Sequence, residues 1–146
     1  TPALNFTGTG SFNYTISDGN GGTATATVTV TVAAGVNYTI SAFTVSGRVR
    51  PGQAVTISVG LRNQTNVTKS VSGQVIGRRN GATGPIVYDS GLQQVGDNPG
   101  GGSSTNVFPA YVTPAGQTGT INWQVTIFDE DGIAGNDVAT ATTTVR

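Results

Sequence analysis

Four carboxylates and an amide fall close together near the end of the chain: Asp129, Glu130, Asp131, Asn136 and Asp137. Hard oxygen ligands gathered on one loop are what calcium requires. The set expected to hold such an ion is Asp129, Asp131, Asn136 and Asp137. The spacing is not that of an EF-hand, because Gly132 stands fourth from Asp129 instead of sixth and Thr140 occupies the place of the bidentate glutamate. A solvated turn is the competing reading, since Asp and Asn tolerate turn backbones. Asp18 and Asn20 form a smaller pair of the same kind. Calcium is the one cofactor this inventory suggests.

Five Asn-X-Ser/Thr sequons begin at Asn5, Asn13, Asn37, Asn63 and Asn66. Each is a glycan acceptor in a chain that is secreted and glycosylated. Threonine is abundant enough to produce several of them by chance. The loop Asn63-Gln64-Thr65-Asn66-Val67-Thr68 is the expected place for glycan, at Asn63 and Asn66. Tyr88, Phe108 and Tyr111 would stack on sugar rings if they shared an exposed sheet face, although core packing is the commoner fate of such residues. Asp89-Ser90-Gly91 sets a serine beside an acid, but the chain has no His and no Cys. The usual general base, the thiol nucleophile and the commonest zinc ligands are therefore absent together, and no enzyme activity is expected.

Charge narrows the partners. Of 146 residues only 10% are charged, 7 Lys+Arg balance 7 Asp+Glu, and Arg48, Arg50, Arg62, Arg78 and Arg79 make no run longer than two. No basic field exists to hold phosphates or anionic lipid, so neither nucleic acid nor membrane insertion is expected. No apolar run approaches the roughly 18 residues of a membrane span, and no basic start leads into an apolar core as in a signal peptide. The chain reads as a mature polypeptide or a piece excised from a longer one.

The elements that must position these residues are strands. Ala24 to Val32 alternates apolar residues with threonine, and Ser11 to Ser17 puts Phe12, Tyr14 and Ile16 on one face. Between them Asp18-Gly19-Asn20-Gly21-Gly22 supplies turn residues, so 11–32 is a predicted β-hairpin. The plan recurs at the far end: Thr120 to Phe128 places Ile121, Trp123, Val125 and Ile127 on one face, the acidic turn follows, and Val138 to Val145 closes. Gln53 to Arg62 is a further strand, with weaker ones over 38–46, 70–78, 85–94 and 106–112. No helical periodicity of ten residues appears. About seven strands in about 110 residues predict an all-β, immunoglobulin-like antiparallel β-sandwich, with a closed barrel as the competing architecture.

The segment Phe12-Asn13-Tyr14-Thr15-Ile16-Ser17-Asp18-Gly19-Asn20-Gly21-Gly22-Thr23-Ala24-Thr25-Ala26-Thr27-Val28 resembles the closing hairpin of bacterial cadherin-like and related immunoglobulin-like repeats. Residues from about 36 onward resemble the bacterial cell-adhesion-related domain, through Val49 to Asn63 and the Asp-rich turn before the last strand. In this chain that turn is broken by Ile133-Ala134-Gly135. The resemblance implies an extracellular or cell-surface module of an adhesive or scaffolding protein. The expected organisation is a hairpin over 1–33 from an adjoining Ig-like unit, a linker at 34–36, and the sandwich over 37–146.

A lone hairpin exposing Phe12, Tyr14, Ile16, Val28, Val30 and Val32 needs a cover. Either it closes an upstream unit, or it completes a sandwich in its own chain or in a neighbouring copy, and in the last case it builds a filament. The expected partners are therefore neighbouring copies or adjoining Ig-like repeats. The function expected is a non-enzymatic structural or adhesive module; the alternative is a module that binds carbohydrate or another ligand.

Overall fold

The computed structural model describes residues 6–33, 35–129 and 137–146. Glu130, Asp131 and Asn136 lie outside them. Contacts divide the chain into two compact units, residues 1–34 and 35–146.

The first unit is a two-stranded antiparallel ribbon of β1 (Gly8–Ser17) and β2 (Thr23–Val32). Its turn is built around Asp18, whose Oδ1 accepts the N–H groups of Asn20 at 2.8 Å and Gly22 at 2.9 Å. Gly19 and Gly21 take φ of 77° and 94°, a region in which a side chain is strained. This pairing sets Phe12 opposite Val28, Tyr14 opposite Ala26 and Ile16 opposite Ala24, so one face is apolar throughout. The other face is nearly all hydroxyl, with Thr15 bonded to Thr25 at 2.8 Å and Thr27 donating to Asn13 at 2.7 Å.

The second unit contains β3 (Tyr38–Val45), β4 (Arg48–Val49), β5 (Ala54–Asn63), β6 (Ser70–Arg79), β7 (Ile86–Asp89), β8 (Gln93–Gly96), β9 (Ser103–Val112), β10 (Gly119–Phe128) and β11 (Val138–Val145). One sheet runs β3-β5-β9. The other runs β4-β11-β10-β6-β7, with β8 also on β6. Two sheets with separate edges make this a sandwich and not a barrel. Between Val45 and Arg48 the chain leaves the first sheet and enters the second, where β4 runs parallel to β11. All other strand pairs among the described residues are antiparallel. This is the immunoglobulin-like arrangement.

Alternation along β5 and β10 sends Val55, Ile57, Val59, Leu61, Ile121, Trp123, Val125 and Ile127 into the space between the sheets, where all are buried. Along β6 the inward positions are Val71, Gly73, Val75 and Gly77. A Cβ at Gly77 would stand 2.6 Å from Trp123 Cζ3, so the indole fills the space that a larger residue would need. Val36, at the end of the expected linker over 34–36, packs into this core with 1% of its surface exposed. The predicted strand over 85–94 divides into β7 and β8, because Ser90 and Gly91 turn the chain out of register.

Candidate functional site

Of the four residues expected to hold calcium, Asp131 and Asn136 lie outside the described residues. Asp129 follows β10, and its Oδ2 accepts the backbone N–H of Tyr38 at 2.6 Å, fixing the start of β3 against the other sheet. Asp137 is buried, and its backbone carbonyl accepts Ile127 N–H at 2.8 Å. Asp129 thus makes a structural contact through its carboxylate, and Asp137 makes one through its backbone carbonyl. Among the described residues no three of His, Cys, Asp and Glu gather closely enough to hold a metal ion. Asp18 is likewise occupied by its own turn.

Asn63, one of the two expected glycan positions, lies inside the fold. Its side chain has 0% exposure and uses its whole amide: Nδ2 donates to Val67 O at 2.7 Å and Asn98 O at 2.8 Å, and Oδ1 accepts from Thr65 N and Thr65 Oγ1, each at 2.9 Å. Thr65 belongs to the sequon and is spent on the same knot. Next to it the Tyr38 hydroxyl donates to Lys69 O and accepts from Asn98 N, both at 3.1 Å. A residue in this setting closes one end of the sandwich and has no room for sugar. Asn66 is exposed.

The aromatic residues considered for stacking on sugars form a core cluster instead. Phe108 is buried. Tyr88 and Tyr111 meet Trp123 edge-on, with ring centroids 5.5 Å and 5.9 Å from the indole and 5.9 Å from each other. Such geometry is favourable beyond area burial alone. Both hydroxyls are anchored, Tyr88 to Pro109 O at 2.6 Å and Tyr111 to Gln117 Oε1 at 2.9 Å. Burial raises the Tyr88 hydroxyl above the usual tyrosine range, and the charge of Asp89 adds to this. Trp123 Nε1 donates to Thr143 Oγ1 at 2.9 Å, which in turn donates to Ser46 O at 2.7 Å, at the point where the chain changes sheets. Ser90 is also structural: its Oγ accepts Val75 N–H at 2.8 Å and donates to Gly91 O at 2.7 Å.

Two surfaces stand out once these residues are accounted for. The first is the apolar face of the ribbon, where Phe12, Tyr14, Ile16 and Val30 are 58%, 48%, 61% and 49% exposed. The second is a groove of about 420 Å³ on the outer face of the larger sheet. Asn122, Gln124, Thr140 and Thr142 line it with Ile76, while Arg78 and Ala82 belong to the β6–β7 side. Arg78 is tethered there, donating from Nη1 to Gly84 O at 3.1 Å. Sequence reasoning missed this groove because its residues are scattered over three strands and meet only through register. One strand further on, Asp89 is held below the usual carboxylate range by the Gln74 amide at 2.8 Å and by Gly91 N–H.

Residues 1–31 match the family described as a bacterial Ig domain. No curated protein matches the chain. Among solved structures it is similar to a Paenibacillus sp. cycloisomaltooligosaccharide glucanotransferase complexed with cycloisomaltoheptaose, with TM-score 0.58 and 19% identity over 73% of this chain and 14% of that one. It is also similar to the CARDB domain of a Pyrococcus furiosus protein in complex with di-metal ions, with TM-score 0.51 and 18% identity over 77% of this chain and 90% of that one. A third is the β-glucosidase of Listeria innocua in complex with glucose, with TM-score 0.53 and 13% identity over 80% of this chain and 17% of that one. The chain spans only a small part of the two enzymes. The likenesses to solved structures establish the fold alone, an Ig-like β-sandwich.

Proposed function

We propose that this chain is a non-enzymatic structural and adhesive module of a prokaryotic surface protein, in which Ig-like units stand in series or join by strand pairing. The observation that carries the reading is a correspondence between two hairpins. In β10–β11 the pairs are Ile121 with Thr143, Trp123 with Ala141 and Val125 with Ala139; in β1–β2 they are Phe12 with Val28, Tyr14 with Ala26 and Ile16 with Ala24. Both put a large ring opposite alanine, with an aliphatic side chain opposite alanine two residues on. In β10–β11 that face is buried in the sandwich, whereas in β1–β2 it is exposed. Such a face is built to lie on a sheet like β3-β5-β9 of another Ig-like unit, either an adjoining one or a neighbouring copy.

The bacterial Ig match over residues 1–31 supports this reading, and so does a side-chain inventory without His or Cys. An extracellular or cell-surface location accords with the usual setting of such modules. The test is light scattering and electron microscopy of material isolated from its native source. Serial units or extended polymers are expected. Native material consisting of a 14.7 kDa monomer would overturn the proposal.

A further inference from the structure

We propose that the groove on the outer face of β6, β10 and β11 binds an acidic saccharide, a short glycan carrying a carboxylate. The floor of the groove is set by strand register. Thr142, Asn122 and Arg78 lie in one row across the three strands, and Thr140, Gln124 and Ile76 in the next. Two interstrand steps make each row about 10 Å long. The rows present hydroxyls and amides, which both donate and accept, as sugar hydroxyls require.

These groups are available to a ligand. Among the described residues the side chains of Asn122, Thr140 and Thr142 make no hydrogen bond, and the Gln124 amide makes one, from Nε2 to Thr126 Oγ1 at 3.3 Å. The ribbon gives the contrast: Asn13 and Thr27, a cross-strand pair of the same two residue types, bond to each other at 2.7 Å. Asn122 and Thr142 are cross-strand partners too, yet they stay open.

Charge selects the acidic class. The groove is lined by one cation and no carboxylate. Arg78 is already tethered to Gly84 O, so less side-chain freedom is lost when its remaining N–H donors meet a carboxylate. Asp89 pairs with Ile76 one strand away, but its carboxylate is turned to Gln74 and Gly91 N–H. A single arginine supplies far too little charge for a polyphosphate chain. An acidic peptide fits less well, because β10, the middle strand under the groove, is paired on both sides, and β11 carries β4 only at Thr144 and Val145; strand addition along the rest of that edge is the outcome that oligoglutamate tests.

The test is calorimetric titration of the full 146-residue chain with oligogalacturonate, with a maltooligosaccharide of equal length as the neutral probe and oligoglutamate as the acidic peptide. The expected result is binding of oligogalacturonate, at least about tenfold weaker binding of the neutral probe, and about a tenfold loss with Arg78→Gln. Asn122→Ala, which removes no internal hydrogen bond, is expected to weaken binding while leaving the near-ultraviolet signal of Trp123 unchanged. Absence of binding at millimolar oligogalacturonate would overturn the proposal. So would equal binding of the neutral probe, tighter binding of oligoglutamate, or an Arg78→Gln variant that binds as tightly as the parent chain.

Discussion

Replacing Asn63 by alanine is expected to destabilise the sandwich far more than truncation of an ordinary polar residue. The side chain closes four hydrogen bonds, and its removal strands Val67 O, Asn98 O and Thr65 N–H together. Each buried group left unpaired costs about 1–3 kcal/mol. Thr65 and Val67 are half-buried, so water recovers part of their loss, but Asn98 is only 4% exposed and its carbonyl stays orphaned. The sum is about 3–5 kcal/mol, a large share of the roughly 5–15 kcal/mol that holds a domain together. For a unit of this size that lowers the melting temperature by about 10–20 °C. The assay is thermal melting followed by Trp123 fluorescence. Asn63→Asp is expected to destabilise as well, because it keeps the acceptors for Thr65 but turns two donors into charges facing carbonyls. The same burial predicts that the folded protein carries no glycan at Asn63, which peptide mass mapping of the native material reads directly. An Asn63→Ala protein melting within about 2 °C of the parent would refute the reasoning.

Gly77→Ala is expected to cost about 1–3 kcal/mol by overpacking, because the new methyl meets the Trp123 ring at 2.6 Å and Tyr88 and Tyr111 hold that ring in place; an unchanged melt would contradict it. Thr143→Val keeps the shape but strands the indole N–H and Ser46 O, so a loss of about 1–3 kcal/mol is expected in denaturant titration, with neutrality the opposing result. Burial raises the Tyr88 hydroxyl above its unfolded value near pH 10, so its contribution is fully present below that pH and is lost as pH rises through the folded value. Tyr88→Phe should therefore flatten part of the alkaline fall in melting temperature, and an identical alkaline profile would argue against that cause. Asp89 has the opposite sign: its folded value is lowered, so its contribution is present above the ordinary carboxylate value and is lost as pH falls toward the folded one. Gln74→Ala should shift the acid limb, while a limb that does not move would count against the pairing.

The strands were legible wherever one face is apolar and the other threonine. β2, β5 and β10 read directly from alternation, and the two hairpins were visible as repeats. β4 was not legible, because two residues carry no period and their parallel pairing with β11 depends on contacts nearly a hundred positions away. β6 was read weakly because Gly73 and Gly77 occupy inward positions, where the neighbouring Trp123, Ile127 and Phe108 fill the space. The burial of Asn63 is illegible for a related reason: a sequon and an asparagine that closes a turn have the same local sequence, and only burial separates them. Tyr88 and Tyr111 were legible as aromatic but not as partners of Trp123, since they sit on strands of opposite sheets. The groove was the least legible feature, because its six principal residues come from three strands aligned by pairing.

In the proposed function the apolar face of the β1–β2 ribbon is covered in the native assembly by strands of another Ig-like unit. The chain has no cysteine, so single cysteines report cleanly on exposure. Ile16→Cys marks the apolar face and Thr29→Cys the hydroxyl face, and both positions are exposed in the chain described here. In assembled native material a thiol reagent is expected to label the cysteine at 29 readily and the one at 16 slowly, while both label fast in the isolated 146-residue chain. Equal, fast labelling of both positions in the native assembly would contradict it.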